Sequence, residues 1–316
     1  MDCMIRKIGK LISVVVMIGT CLTLFTLSSD AETVRAAKAK PAKFPAIELT
    51  ENDPYWKSSW KEVYKTVPEL IMQHQSEMQK NIRRDKLMHG DLTKKQIAIT
   101  FDDGPHPKYT PKLLSILKAN HVKATFFLVG MLAEKYPKLV RAESRAGHSI
   151  GDHTYHHVNL TQIPSAYVAT EIDACGDVLK KITGRRTHLF RPPGGDYNDQ
   201  VAEVASALNY KIILWTDDPG DYSSPGEAVI MNRIMDKVTN GGIILIHDGI
   251  QQTIDILPKV ISNLRKKGYE FVTIDEMLET AKHSQSKSQQ FGSNEFISFG
   301  LAEPHRVATS NFDPNM

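Results

Sequence analysis

Between residues 96 and 275 the chain alternates between two kinds of segment, and that alternation constrains the fold more than any other feature. Seven strand-like runs stand in order: QIAITFDD (96–103), ATFFLVG (124–130), HSIGDH (148–153), HLFRPPG (188–194), KIILWTDD (211–218), GIILIHDG (242–249) and YEFVTID (269–275). Helix-like segments fill the gaps near 110–119, 131–146, 164–183, 198–208, 226–239 and 251–267. A helix in each gap carries the chain back across the sheet, so successive strands pair in parallel. The expected class is therefore α/β with a parallel sheet, open or closed, and seven strands lean toward a barrel. Gly147, Gly184 and Gly268 follow three of the helices, where a left-handed cap is wanted.

Polar residues gather at the C-terminal ends of these runs: Asp102 and Asp103, His153, Arg191, Asp217 and Asp218, His247 and Asp248. In parallel α/β folds those ends form the active face. The adjacent pair Asp102–Asp103 is the odd element, because neighbours on a strand point to opposite faces and an unpaired buried carboxylate is costly. Gly104-Pro105 stops the strand at this point, which lets both carboxylates address one mouth.

The flanks differ from this middle. Positive MIRKIGK precedes an uncharged, mostly apolar run over residues 11–27, and a polar stretch follows. That is the layout of an export signal, either cleaved or kept as a membrane anchor, and it occupies residues 1–39. Residues 40–94 read as a helical arm with Tyr55, Trp56, Trp60 and Tyr64, packed against the main domain. The domain itself runs over 95–281, and 282–316 loses periodicity as a flexible tail expects. Of three cysteines, Cys3 and Cys21 fall in the signal, leaving Cys175 as a small core residue on a helix. An exported domain without a disulfide suits a bacterial envelope, as a secreted or envelope-associated protein. A formal charge of +3, with no dense basic run past the N-terminus, is too small to argue for a nucleic-acid partner, and none is expected.

HTYHH places His153 and His157 four residues apart. If the segment makes one helical turn beside Asp103, two imidazoles and a carboxylate converge on a metal, with His156 pointing away. In FRPPGGDYN, Arg191 can hold a carboxylate by a forked contact, and exposed glycine amides can donate to an anion. His247 ends a very apolar strand on the face of the aspartates, with Leu245 two residues back on the same side.

TFDDGP, HTYHH, FRPPGG, WTDDPGDY and LIH occur in the order and approximate spacing of five motifs, and over about residues 95–280 the chain resembles the polysaccharide deacetylases. These are the NodB-homology enzymes of carbohydrate esterase family four. The resemblance implies a distorted (β/α)7 barrel and removal of N-acetyl, occasionally O-acetyl, groups from glycans. It implies a divalent metal, zinc by default with cobalt or nickel as alternatives, held by Asp103, His153 and His157. Asp102 then resembles the general base and Arg191 the residue that orients it. His247 resembles the general acid, with Asp221 as its tuning partner. The Gly194 N–H resembles an oxyanion donor, and Leu245 would line the pocket for the acetyl methyl. The chain departs from the pattern at Tyr222, where the family usually has Trp, and at Gly194, where it often has Tyr.

The expected substrate is an acetylated envelope polysaccharide, peptidoglycan N-acetylglucosamine first. Chitin oligomers, N-acetylmuramic acid and O-acetyl polysaccharides are the alternatives. Two other classes compete: a non-catalytic glycan-binding module on this scaffold, and a glycosidase using paired carboxylates. The first expects a base or ligand to be lost, yet every such position is filled. The second leaves the histidines without a role. An Asp-x-Asp phosphatase fits poorly, because these carboxylates are adjacent.

Overall fold

A computed structural model of the protein describes residues 65–280. The elements run α1 (Val67–Gln79), β1 (Lys86–Leu87), β2 (Gln96–Gly104), α2 (Thr110–Ala119), β3 (Thr125–Leu128), α3 (Gly130–Lys135), α4 (Pro137–Arg145) and β4 (Ser149–Asp152). They continue through α5 (Ser165–Thr183), β5 (Leu189–Phe190), α6 (Asp199–Ala207), β6 (Lys211–Ile213), α7 (Glu227–Lys237), β7 (Gly242–His247), α8 (Gln251–Lys266) and β8 (Glu270–Phe271). Every ladder is parallel, in the order β1-β6-β5-β4-β3-β2-β7, with β8 added against β2.

The sheet curls until its ends meet. Beyond β6 the chain bridges to β7: Thr216 N donates to Ile243 O at 3.0 Å, and Leu245 N donates to Asp217 O at 2.8 Å. This closes the distorted (β/α)7 barrel that the alternation and the motifs led us to expect. Side-chain alternation then sorts two cores. Ala98, Ile243 and Leu245 join Leu214 and Trp215 in one cluster. Their strand neighbours Ile97, Ile99, Phe101, Ile244 and Ile246 pack with helical residues Leu113, Leu117 and Leu257 in the other. At about 25 cal/mol per Å², each such large buried side chain contributes roughly 1.5–3 kcal/mol.

Two expectations are corrected. The single helix over 131–146 is two, because Tyr136 precedes Pro137 and sits at φ −124°, ψ 52°, outside the helical region. The helical arm also contains a strand: Lys86 and Leu87 pair with Ile212 and Ile213 of β6. They lie in a polar stretch with no apolar run to mark a strand in sequence. The described part of the arm does pack on the barrel, through buried Leu70 and a bond from Gln73 Nε2 to Tyr197 O of 3.1 Å. Residues 11–27, the aromatic residues Tyr55, Trp56, Trp60 and Tyr64, and the tail 282–316 lie outside the described residues. Among the described residues no helix is long and apolar enough to cross a membrane. Gly147, Gly184 and Gly268 adopt φ of 80°, 82° and 84°, the left-handed caps expected of them. Cys175 is buried on α5, and burial raises its thiol well above the ordinary value, as befits an inert core residue.

Candidate functional site

The end of β2 explains how two adjacent aspartates share one mouth. Against β3, Phe101 pairs with Phe126 but Gly104 pairs with Leu128, so β2 carries one extra residue there. That bulge coincides with Asp103 at φ +69°, a conformation aspartate tolerates better than most residues. The strict alternation breaks after Asp102, which is buried, whereas the Asp103 side chain is 32 % exposed. Gly104 is required next, since a Cβ there would come within 2.9 Å of the Asp248 carboxylate.

Asp103 meets the two histidines. Its Oδ1 lies 3.4 Å from His153 Nε2 and 3.0 Å from His157 Nε2. One donor atom from each of the three residues falls within 4.8 Å of the others. Nitrogen and oxygen ligands about 2.0–2.2 Å from one ion stand roughly 3–3.5 Å apart, so the trio fits a single metal, and two imidazoles with a carboxylate suit zinc, cobalt or nickel. His153 Nδ1 lies 2.7 Å from the Arg191 carbonyl. A carbonyl can only accept, so Nδ1 carries the proton and Nε2 turns its lone pair toward Asp103. Burial pushes the Asp103 carboxyl up, but the charge of His157 beside it holds it well below the ordinary value.

The histidines do not converge by a helical turn, as the four-residue spacing led us to expect. Residues 153–157 are irregular, with Thr154 at φ +64° and His157 at φ +57°. These two left-handed residues bend the segment back on itself. His156 points away, as expected, and its Nδ1 meets Glu171 Oε1 at 2.8 Å.

Arg191 lies wholly inside the barrel. Nη1 donates to Asp102 Oδ1 at 2.7 Å and to Thr100 Oγ1 at 2.8 Å, while Nε and Nη2 donate to the carbonyls of Ile213 and Leu214. The guanidinium also lies 4.1 Å from the Phe127 ring centroid. Three residues on, Gly194 adopts φ +64°, and its carbonyl accepts from Lys65 N at 2.8 Å. Gly195, at φ +69°, sits so close to Trp215 that a Cβ would fall 2.5 Å from the ring.

Beside Asp102 in register is His247, at the end of β7. Asp221 grips it twice: Oδ1 at 2.7 Å from Nδ1, and Oδ2 accepting from the His247 backbone N–H at 2.8 Å. Thr253 Oγ1 donates to the same Oδ2 at 2.5 Å. Burial opposes the charged imidazole, but the Asp221 carboxylate prevails and raises His247 to about 10. The Tyr222 ring stands edge-on to His247, with centroids 5.4 Å apart, and is 39 % exposed. Leu245 is buried in the inner cluster two residues before His247.

Not every polar strand end joins this group. Among the described residues neither Asp217 oxygen has a hydrogen-bond partner, and burial lifts that carboxyl to about 7. Asp218 instead accepts from Gly220 N. Asp248 turns to Thr110 Oγ1 on α2. Conversely, sequence reasoning passed over Thr100, Thr253 and Asp152, whose Oδ1 accepts from Thr154 N at 2.9 Å. Thr100 shows a weak signal, as a polar residue on the inward face of an otherwise apolar strand. Thr253 shows none, since its partner is 32 residues away.

The sequence profile described as polysaccharide deacetylase matches residues 89–213. A peptidoglycan-N-acetylglucosamine deacetylase of Bacillus cereus is 39 % identical over 189 residues, covering 58 % of this chain and 88 % of the relative. The Bacillus subtilis peptidoglycan-N-acetylmuramic acid deacetylase PdaC is 34 % identical over 197 residues, 62 % of this chain and 42 % of its own. Among solved structures, the Bc1960 peptidoglycan N-acetylglucosamine deacetylase superposes with a TM-score of 0.61 at 34 % identity. That match covers 64 % of this chain and 95 % of the solved one.

Proposed function

The chain belongs to the polysaccharide deacetylase family of metal-dependent hydrolases, and from that premise we propose that it removes N-acetyl groups from peptidoglycan N-acetylglucosamine, releasing acetate. The observation that carries this reading is the convergence of Asp103, His153 and His157 beside two opposed proton-handling pairs, Asp102–Arg191 and His247–Asp221.

Asp103, His153 and His157 would hold the divalent ion, zinc by default. When bound, such an ion lowers the pKa of water and polarises a carbonyl oxygen. The remaining work falls to the protein. Asp102, aimed by Arg191, takes a proton from the water that attacks the acetyl carbonyl. The Gly194 N–H donates to the carbonyl oxygen as it gains negative charge. His247, kept protonated by Asp221, delivers its proton to the nitrogen as the C–N bond breaks. Water and amide become acetate and a free amine on the sugar. Leu245 walls the space for the methyl group, and Tyr222 shields the acid from solvent. The apolar run at 11–27 directs the chain to the cell envelope, cleaved or anchored there, where this substrate lies.

Similarity to PdaC supports a second reading, in which N-acetylmuramic acid is the sugar deacetylated. Mass spectrometry of the glycans after incubation separates the two. Peptidoglycan fragments should lose acetyl groups from N-acetylglucosamine, chelator should stop the loss, and added zinc should restore it. Loss confined to N-acetylmuramic acid or chitin oligomers would reassign the substrate, and no acetate from any glycan would defeat the proposal.

A further inference from the structure

The loop that presents His153 and His157 is held in an unfavourable shape, and a residue outside all five motifs accounts for it. A β-branched threonine at positive φ is rare, and Thr154 adopts φ +64° only three residues before His157 at φ +57°. Such conformations persist where the surroundings over-determine them. The loop carbonyls are tied to α3: Gly130 N donates to Thr154 O and Met131 N to Tyr155 O, each at 2.9 Å. The loop N–H groups have a different anchor. His156 N donates to Glu171 Oε2 at 3.0 Å, Tyr155 N shares its proton between that oxygen at 3.1 Å and the Glu171 main-chain carbonyl at 3.0 Å, and His156 Nδ1 reaches Glu171 Oε1 at 2.8 Å. Both carboxylate oxygens are thus spent on the residues between the two histidines. Glu171 lies on α5 with 0 % exposure, and among the described residues no lysine or arginine forms an ion pair with it. A buried carboxylate in that position is expensive unless its hydrogen bonds serve a purpose.

We infer that Glu171 is a positioning residue, which clamps residues 155 and 156 so that His153 and His157 present their Nε2 atoms to one ion. This rests on reading Asp103, His153 and His157 as the metal triad, and it assigns Glu171 no contact with metal or substrate. Residues that orient ligands from outside the coordination sphere commonly change metal affinity by 10–100-fold.

The test measures zinc affinity of the full chain by competition with a chromophoric chelator, together with melting temperature in EDTA and in zinc. Glu171→Ala should weaken zinc binding by about 10–100-fold and shrink the rise in melting temperature that zinc produces. Glu171→Gln, which keeps an oxygen for the two N–H groups, should bind zinc nearly as the wild type does. Adding Thr154→Gly to Glu171→Ala should restore part of the affinity, because glycine adopts positive φ without strain. Glu171→Asp, whose shorter side chain withdraws both oxygens, should weaken binding too and stands in if the alanine variant does not fold. Wild-type zinc affinity in Glu171→Ala or Glu171→Asp, or a lower melting temperature by the same amount with and without zinc, overturns the proposal. His157→Ala separates it from its premise. Zinc retained by His157→Ala defeats the triad itself, whereas zinc lost there but kept by Glu171→Ala defeats only the clamp.

Discussion

Arg191 Nη1 donates to Asp102 Oδ1 at 2.7 Å, with both side chains buried inside the barrel. The contact joins β2 to the turn after β5 and gives a buried carboxylate a charged, hydrogen-bonded partner. If Asp102 is the base, Asp102→Asn should keep its metal while acetate release falls by roughly 10²–10⁴. Parallel elemental analysis and acetate assays would check this. Normal turnover would remove Asp102 from the mechanism.

The forked grip on a carboxylate expected from the sequence is a single Nη1–Oδ1 contact, and Arg191→Lys tests the spread of its donors and not the charge. Lysine cannot serve Asp102, Thr100 and the carbonyls of Ile213 and Leu214 together. We expect kcat to fall roughly 10²-fold with little change in KM, because a misplaced base harms the reaction more than it harms binding. Steady-state kinetics on one defined glycan decides it. An unaltered kcat would show that any cation suffices.

Asp221→Asn bears on the pH profile. Asp221 raises His247 to about 10 against the opposing effect of burial. Removing that charge should draw the basic limb of kcat down by roughly 1–3 pH units. Stability should follow the same linkage. A histidine raised on folding contributes stability in full below its ordinary value of 6.5, and loses it as pH climbs toward 10. The variant should therefore be weakest relative to wild type near and below neutrality, with the gap closing in alkali. Thermal melts across pH, beside the rate profile, would expose a basic limb that failed to move.

Glu143 offers a test of stability instead of catalysis. It is fully buried on α4, neither carboxylate oxygen has a hydrogen-bond partner among the described residues, and burial raises it well above 4.5, with Asp248 adding repulsion. An acid raised on folding loses stability as pH climbs past its unfolded value, at about 1.4 kcal/mol per unit while the folded chain keeps the proton. Glu143→Gln removes that dependence. The variant's advantage in melting temperature should be near zero at pH 4 and grow toward pH 8, by roughly 2–4 °C per kcal/mol. A difference that stays flat with pH would contradict the assignment.

The helices and parallel strands were legible from apolar runs alternating with helical segments, which marked even the two-residue β5 and β8. Lys86–Leu87 lies outside that alternation, in a polar stretch with no apolar run to mark it. The alternation also missed the break at Tyr136, although Pro137 marked the place. At the site, residue types and order were informative: His153, His157 and Asp103 stand together as their motifs led us to expect. Their route was not. A four-residue spacing suggested a helical turn, whereas the segment converges through left-handed residues held by bonds to Asp152 and Glu171. Thr100, Asp152, Glu171 and Thr253 stayed hidden for a related reason. A single buried hydroxyl or carboxylate has no pattern, and its meaning lies in a partner distant along the chain.

The seam where residues 216–217 meet β7 is stitched largely by peptide groups, which every amino acid supplies alike. Among the side chains, the Thr216 hydroxyl adds to the seam, accepting from Ile243 N at 2.9 Å. Length cannot be altered freely, because slipping the seam by one residue would exchange inward and outward faces along the staves it joins. The stretch between Ile213 and Asp221 is thus a ruler: its count of residues, more than their identity, decides whether Asp221 arrives beside His247.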